Sequence, residues 1–162
     1  MKVKRFLYRF FIILYRITPF KIYVCRVLKR SSFFTRHHIH IDLKFKGKFP
    51  VNIPKTNQKF VLNAWNSTIE NEIFWNGFGN TWEPETIHLW VKLCKKSNVI
   101  FDVGANTGIY SLIAGKLNTE AKIIAFEPST SNTRTLSRNI SINNLEGKIN
   151  IFPLALSDKE NI

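Results

Sequence analysis

Between residues 99 and 130 the chain sets out side chains suited to managing a cation and a pair of hydroxyl groups. Asp102, Gly104, Asn106 and Gly108 follow one another as Asp-x-Gly-x-Asn-x-Gly, and Glu127 comes 23 residues after Gly104. A carboxylate held at the tip of a strand is purely an acceptor, so it can take hydrogen bonds from both hydroxyls of a ribose. Asp102 places negative charge beside a helix N-terminus that unaided disfavours cations. Asn106 can give or accept a hydrogen bond in the same turn.

These residues need elements to hold them, and the flanking sequence supplies them. Val99 to Val103 is a near-continuous apolar run, which predicts a strand buried on both faces in a parallel sheet. After the glycine turn, Ile109, Leu112, Ile113 and Leu117 fall on one helical stripe. Lys122 to Phe126 predicts a second strand, ending in Glu127-Pro128. Ser129 to Ser131 offer caps for a helix running to about Asn143, with Leu136 and Ile140 inward, and Ile149 to Phe152 predicts a third strand. The order β-α-β-α-β is half of a doubly wound α/β sheet.

The turn separates two cofactors. Read as G-x-G-x-x-G from Gly104, the later glycine positions hold Asn106 and Ile109, so the bare backbone that an NAD pyrophosphate requires is missing. S-adenosylmethionine has no phosphate and carries a cationic sulfonium, which Asp102 suits. The stretches Phe101-Asp-Val-Gly-Ala-Asn-Thr-Gly-Ile-Tyr-Ser-Leu, Ala125-Phe-Glu-Pro-Ser, Asn139 with Asn143-Asn144-Leu145, and Pro153-Leu-Ala-Leu-Ser-Asp158 resemble the FkbM-type methyltransferases, as does Trp82-Glu83. The resemblance covers roughly residues 60–158. It implies a Rossmann-like class I methyltransferase fold and methyl transfer from S-adenosylmethionine, commonly to a hydroxyl of a sugar or natural product. It also implies that Asp102, Gly104, Asn106 and Gly108 line the methionine end, that Glu127 holds the ribose, and that Ala155 to Asp158 lie near the adenine. The family's later Asp-x-Glu-Gly-type motif is absent, so the expectation is the N-terminal half of such a fold, cut short, with one free edge on its first strand. The rival reading is a non-catalytic remnant or nucleoside-binding module. His88 and Glu83 are the nearby proton acceptors, and neither is assigned as catalytic base.

The rest of the 162 residues is organised by charge. Against 24 Lys+Arg stand 11 Asp+Glu, for a net charge of +13, and the first 50 residues hold 13 of the bases with Asp42 as their sole acid. Residues 1–36 are therefore expected to form a basic arm, 37–97 a small meander with a Trp-rich segment and a lead-in helix, and 98–162 the partial cofactor-binding domain. From Lys2 to Ile17 the bases Lys2, Arg5, Arg9 and Arg16 lie within a sector of about 60°, opposite Val3, Phe6, Leu7, Phe10, Phe11, Leu14 and Ile17. This is the pattern of a helix lying in an anionic membrane interface, too often interrupted by charge to span it; the alternative is a helix packed on the domain with its basic face solvated. The expected location is cytoplasmic, peripheral at the inner membrane surface; with no nucleic-acid motif beside the charge, a nucleic-acid partner is disfavoured.

In the middle, His38 to Lys46 alternates as a half-buried strand, Gly47 and Pro50 read as turns, and Lys59 to Asn63 as a second strand. His38, His40 and Asp42 share a face, but a solvated face explains them better than a metal, and no metal site is assigned. Gly77 and Gly79 break the aromatic stretch from Asn63 to Trp82. A helix follows from Pro84, with Ile87, Val91 and Cys94 along one side, and Cys94 reads as a buried small hydrophobe. Two cysteines, Cys25 and Cys94, make no disulfide framework.

Overall fold

Three short apolar runs become strands because each pairs with its neighbour in parallel and buries one face beneath helices. The computed structural model describes residues 2–30, 43–65, 67–79 and 83–158. Along it run α1 (Lys2–Ile17), α2 (Lys21–Lys29), β1 (Lys46–Asn52), β2 (Lys59–Trp65), α3 (Thr68–Asn76) and α4 (Pro84–Cys94). The parallel-sheet half follows as β3 (Val99–Val103), α5 (Ile109–Leu117), β4 (Lys122–Phe126), α6 (Thr130–Ile142) and β5 (Ile149–Phe152). The fold is α/β. Its parallel sheet has the order β3-β4-β5, with Val99 opposite Lys122 and Ile123 opposite Ile149.

Both connections step in one direction across the sheet, so right-handed crossovers put α5 and α6 on the same face. Ile100, Ile123, Ala125 and Ile149 are buried beneath them with Leu112, Ile113, Leu136 and Ile140. The other face corrects the expectation of a doubly buried strand. Val99, Phe101 and Val103 are 50 to 60% exposed, and no helix of the described residues covers them. Their apolar character is shared across the sheet, where Phe101 stacks on Phe126 at 6.1 Å between centroids and Phe126 lies 5.6 Å from Phe152. Among the described residues β3 has β4 as its single strand partner.

The meander is a two-stranded antiparallel sheet, with Lys46 opposite Trp65 and Asn52 opposite Lys59. Gly47 and Pro50, expected in turns, instead sit inside β1. Pro50 is tolerated because β1 is an edge, so the missing N–H interrupts no ladder. Gly47 is required for a different reason: its φ is +145°, and a Cβ there would come 2.7 Å from Ile22 Cδ1 of α2. Residues 38–42 of the expected strand, and with them His38, His40 and Asp42, lie outside the described residues, as does Trp82.

Two helices were not anticipated. In α3 the hydroxyl of Ser67 accepts from the Glu70 N–H at the start, and Gly77 ends the helix with a φ of 87°. The second, α2, begins after Thr18-Pro19 and draws the basic arm onto the body. Tyr15 of α1 is buried; its hydroxyl donates to the Lys44 carbonyl at 2.8 Å and meets Cys25 Sγ at 3.1 Å. Ile22 and Cys25 are in the core, Arg26 donates to the Lys48 carbonyl, and Lys29 to that of Phe74. Cys94 is buried as expected, and burial raises its thiol to about 12.

The meander joins the parallel sheet through two asparagines one turn apart on α6. Asn143 presents its amide to β2 as a strand would, accepting from the Val61 N–H and donating to the Val61 carbonyl, both at 2.8 Å. Asn139, fully buried, accepts from the Asn63 N–H at 3.0 Å and donates to the Thr107 carbonyl at 2.7 Å. Asn139→Ala leaves a strand donor and a turn acceptor without these partners. It is expected to lower unfolding free energy by about 2–4 kcal/mol, read by urea denaturation, whereas an exposed control such as Ser137→Ala changes it by less than about 0.5 kcal/mol.

Candidate functional site

The chain leaves β3 through a turn that needs left-handed backbone at three positions: Gly104 (φ 78°), Asn106 (φ 50°) and Gly108 (φ 94°). Asparagine is among the few residues with a side chain that adopt this region readily. The two glycines are constrained differently. A Cβ at Gly108 would lie 2.3 Å from Leu136 Cδ1, so this glycine lets α5 close on α6. A Cβ at Gly104 would meet nothing within 4 Å, so its bare side borders open space.

Hydrogen bonds lock the turn to the tip of β4. Gly104 and Ala105 both donate their N–H to the Phe126 carbonyl at 2.9 Å. Glu127 then ties the loops together. Its Oε2 accepts from the Asn106 N–H at 2.8 Å and its Oε1 from the Ser129 N–H at 2.9 Å, with the Asn132 amide at 3.3 Å. Asp102 is buried at the end of β3, where Oδ2 accepts from the Ser111 N–H at 2.9 Å and from its hydroxyl at 2.5 Å. Burial raises the Asp102 carboxyl above its ordinary range, against the pull of the Ser111 hydrogen bonds, and the charge of Glu127 adds to the rise. Two buried carboxyl groups thus share one field beside the open flank of Gly104, an arrangement that favours a ligand bearing positive charge and hydroxyl donors.

Asp102, Gly104, Asn106, Gly108 and Glu127 are therefore gathered at one turn, as expected. Ala155 and Asp158 lie exposed on the loop after β5, at the same end of the sheet. The two base candidates part company. His88 lines a cavity of about 730 Å³ with Arg26, Lys29 and Phe74, built by α2, β1 and α3. Glu83 accepts the Tyr110 hydroxyl at the start of α5, where Trp90 donates its indole N–H to the Tyr110 carbonyl at 3.0 Å. Burial, and then the Glu83 carboxylate, push the Tyr110 phenol well above its ordinary value.

Sequence reasoning missed Ser111, which holds Asp102, and Glu70, which lies buried beside the turn. The spacing Ser67-x-x-Glu70 is that of a capping box, but only half of the box forms. Ser67 Oγ accepts from the Glu70 N–H at 3.4 Å, while neither Glu70 carboxyl oxygen has a hydrogen-bond partner among the described residues.

A three-stranded parallel half-sheet with a glycine turn after its first strand and carboxylates at two strand tips defines the class: an α/β half-domain. More narrowly, residues 56–162 match the family described as Vibrio cholerae RfbT protein, and the chain belongs to that family. No curated protein matches it. Among solved structures it is similar to a Pyrococcus horikoshii protein described as a transferase, at 25% identity and a TM-score of 0.38, covering 42% of this chain and 26% of the other. A second P. horikoshii protein, described as an RNA methyltransferase, shows 30% identity and a TM-score of 0.36 over 42% and 34% of the two chains. A SAM-dependent methyltransferase from Agrobacterium tumefaciens shows 16% identity and a TM-score of 0.44 over 67% and 33%. The chain spans about a quarter to a third of the length of these structures.

Burial raises the Glu70 carboxyl above its ordinary 4.5, outweighing the favourable effect of the nearby Thr107 hydroxyl on the charged form. The folded state therefore holds this proton more tightly than the unfolded state does. The associated stability is complete below about pH 4.5 and is lost as pH rises through the raised folded value. Glu70→Gln, a neutral isostere, is expected to flatten this dependence. Urea denaturation at pH 5 and pH 8 should show a smaller stability difference in the variant, and an equal difference in both proteins would refute the assignment.

Proposed function

We propose that this chain carries the S-adenosylmethionine-binding half of a methyltransferase of the FkbM type, acting on a hydroxyl of a saccharide or natural product. The observation that carries the reading is the pairing of Asp102 and Glu127 around the open flank of Gly104. Bound there, S-adenosylmethionine supplies an activated methyl group on a sulfonium centre. Glu127 keeps acceptor capacity beyond its two backbone donors, enough for ribose hydroxyls, because an ionised carboxylate has about four lone-pair sites. Asp102 offsets positive charge at the methionine end and is itself fixed by Ser111. Asn106 supplies the left-handed backbone that a glycine would otherwise provide, and with Asn106 and Ile109 at the later glycine positions the bare backbone a pyrophosphate needs is missing. The rival dinucleotide reading fails for that reason.

Calorimetry on the full chain tests the proposal. S-adenosylmethionine and its demethylated product are expected to bind and NAD is not. Glu127→Ala should weaken the product's affinity by about 1–3 kcal/mol. Binding of NAD alone would overturn the cofactor assignment, and binding of none of the three supports the remnant reading.

We also infer that α1 and the start of α2 rest on an anionic membrane surface. Phe10, Ile13, Leu14, Ile17 and Phe20 are all exposed large apolar side chains, and the first 30 residues carry nine bases and no acid. No described helix is long and apolar enough to cross a membrane, and an interfacial helix needs only apolar area plus opposite charge. Because Ile22 and Cys25 belong to the core, the arm cannot simply be cut away. Ile13→Asp/Ile17→Asp alters exposed positions instead. It is expected to reduce flotation with anionic liposomes at least tenfold, whereas unchanged flotation would remove the membrane reading.

A further inference from the structure

Between the first turn of α3 and the first turns of α6 lies a cleft of about 420 Å³. Its inner wall contains buried polar atoms that have only one another for partners. Glu70 is fully buried and Thr107 nearly so; the Thr107 hydroxyl lies near enough to the Glu70 carboxyl to favour its charged form, and beyond each other neither side chain has a hydrogen-bond partner among the described residues. Leaving such groups unpaired costs about 1–3 kcal/mol each, so buried polar atoms of this kind ordinarily have a partner.

The outer wall has the opposite character. Arg134 and Arg138 stand one turn apart on α6, both exposed, and both line the cleft. Like charges at this spacing repel, and an anion between them relieves the repulsion. Trp65 fixes one of the pair, with the Arg138 guanidinium 5.4 Å from its ring centroid. Asn132, also in the lining, donates to Glu127, so the cleft adjoins the carboxylate at the tip of β4 without sharing it.

A ligand that answers both walls has hydroxyl groups at one end and a phosphate at the other. We propose that this cleft is a binding site for a phosphorylated sugar, its ring hydroxyls meeting Glu70 and Thr107 and its phosphate meeting Arg134 and Arg138. A sugar hydroxyl both donates and accepts, which a carboxyl and a threonine hydroxyl together require. A hexose phosphate also suits a cleft at the small end of the range for ligand sites. The site shares Thr107 with the glycine turn, while its cationic end, Arg134 and Arg138, lies on α6 outside that turn.

The test is calorimetry on the full chain with three probes: glucose 1-phosphate, glucose and inorganic phosphate. Glucose 1-phosphate is expected to bind at least tenfold more tightly than either of the others. Arg134→Gln/Arg138→Gln should weaken it at least tenfold. Thr107→Val, similar in volume, should weaken it several-fold while leaving inorganic phosphate unchanged, which separates loss of the hydroxyl from loss of the fold. Affinity for the demethylated cofactor product, measured in the arginine variant, should equal that of the unaltered chain. No binding of glucose 1-phosphate, equal binding of inorganic phosphate as an adventitious ion only, or indifference to the arginine substitutions would each overturn the proposal.

Discussion

The architecture depends on two side-chain amides acting in place of a strand. Among the described residues the two-stranded meander and the three-stranded parallel sheet share no backbone ladder; Asn143 reproduces one β-bridge to Val61 and Asn139 extends it to Asn63. Because Asn139 also donates to the Thr107 carbonyl, the same residue fixes the meander, α6 and the glycine turn relative to one another. Bonds of this kind are worth more as constraints than as net stabilisation. Once the amides are buried, every other docking of the meander would leave them unpaired.

The same logic of burial governs the turn. Asp102 sits where desolvation opposes its charge, and Ser111 and the start of α5 supply the compensating donors. Glu127 is held by backbone N–H groups from two loops. The carboxylates are therefore positioned before any ligand arrives. A site preorganised in this way spends little of its binding energy on ordering side chains. The glycine with empty space at its Cβ stands where a ligand can approach closely, and the glycine pressed against Leu136 serves packing alone.

Much of this was legible in the sequence, for identifiable reasons. The strands Val99–Val103, Lys122–Phe126 and Ile149–Phe152 announce themselves because apolar runs bounded by turn residues have few other uses. The grouping of Asp102, Gly104, Asn106, Gly108 and Glu127 follows from strand order alone. What was not legible is what depends on distant partners. An apolar run does not say which of its faces a helix will cover, so the exposure of Val99, Phe101 and Val103 had no local signal. Asn139 and Asn143 find their partners 76 and 82 residues away, beyond any periodicity. Glu70 is the instructive case. Its spacing from Ser67 predicts a surface cap, and tertiary packing of α3 against the turn buries the carboxyl instead. Gly47 and Pro50 mislead in the same manner, since an edge strand tolerates both where a central strand would not.

The face of the parallel sheet that no described helix covers also bears on the thermodynamics of the described fold. Phe101, Phe126 and Phe152 lie against one another across three strands, and Val99 and Val103 beside them are already wet in the folded state. Surface that is hydrated before unfolding contributes nothing to the change in hydration when the chain opens. The heat-capacity increment and the denaturant sensitivity of this fold therefore fall below those of a fully covered sheet of the same length, whose unfolding typically adds about 12–15 cal/mol/K per residue. Its stability curve is correspondingly flatter with temperature.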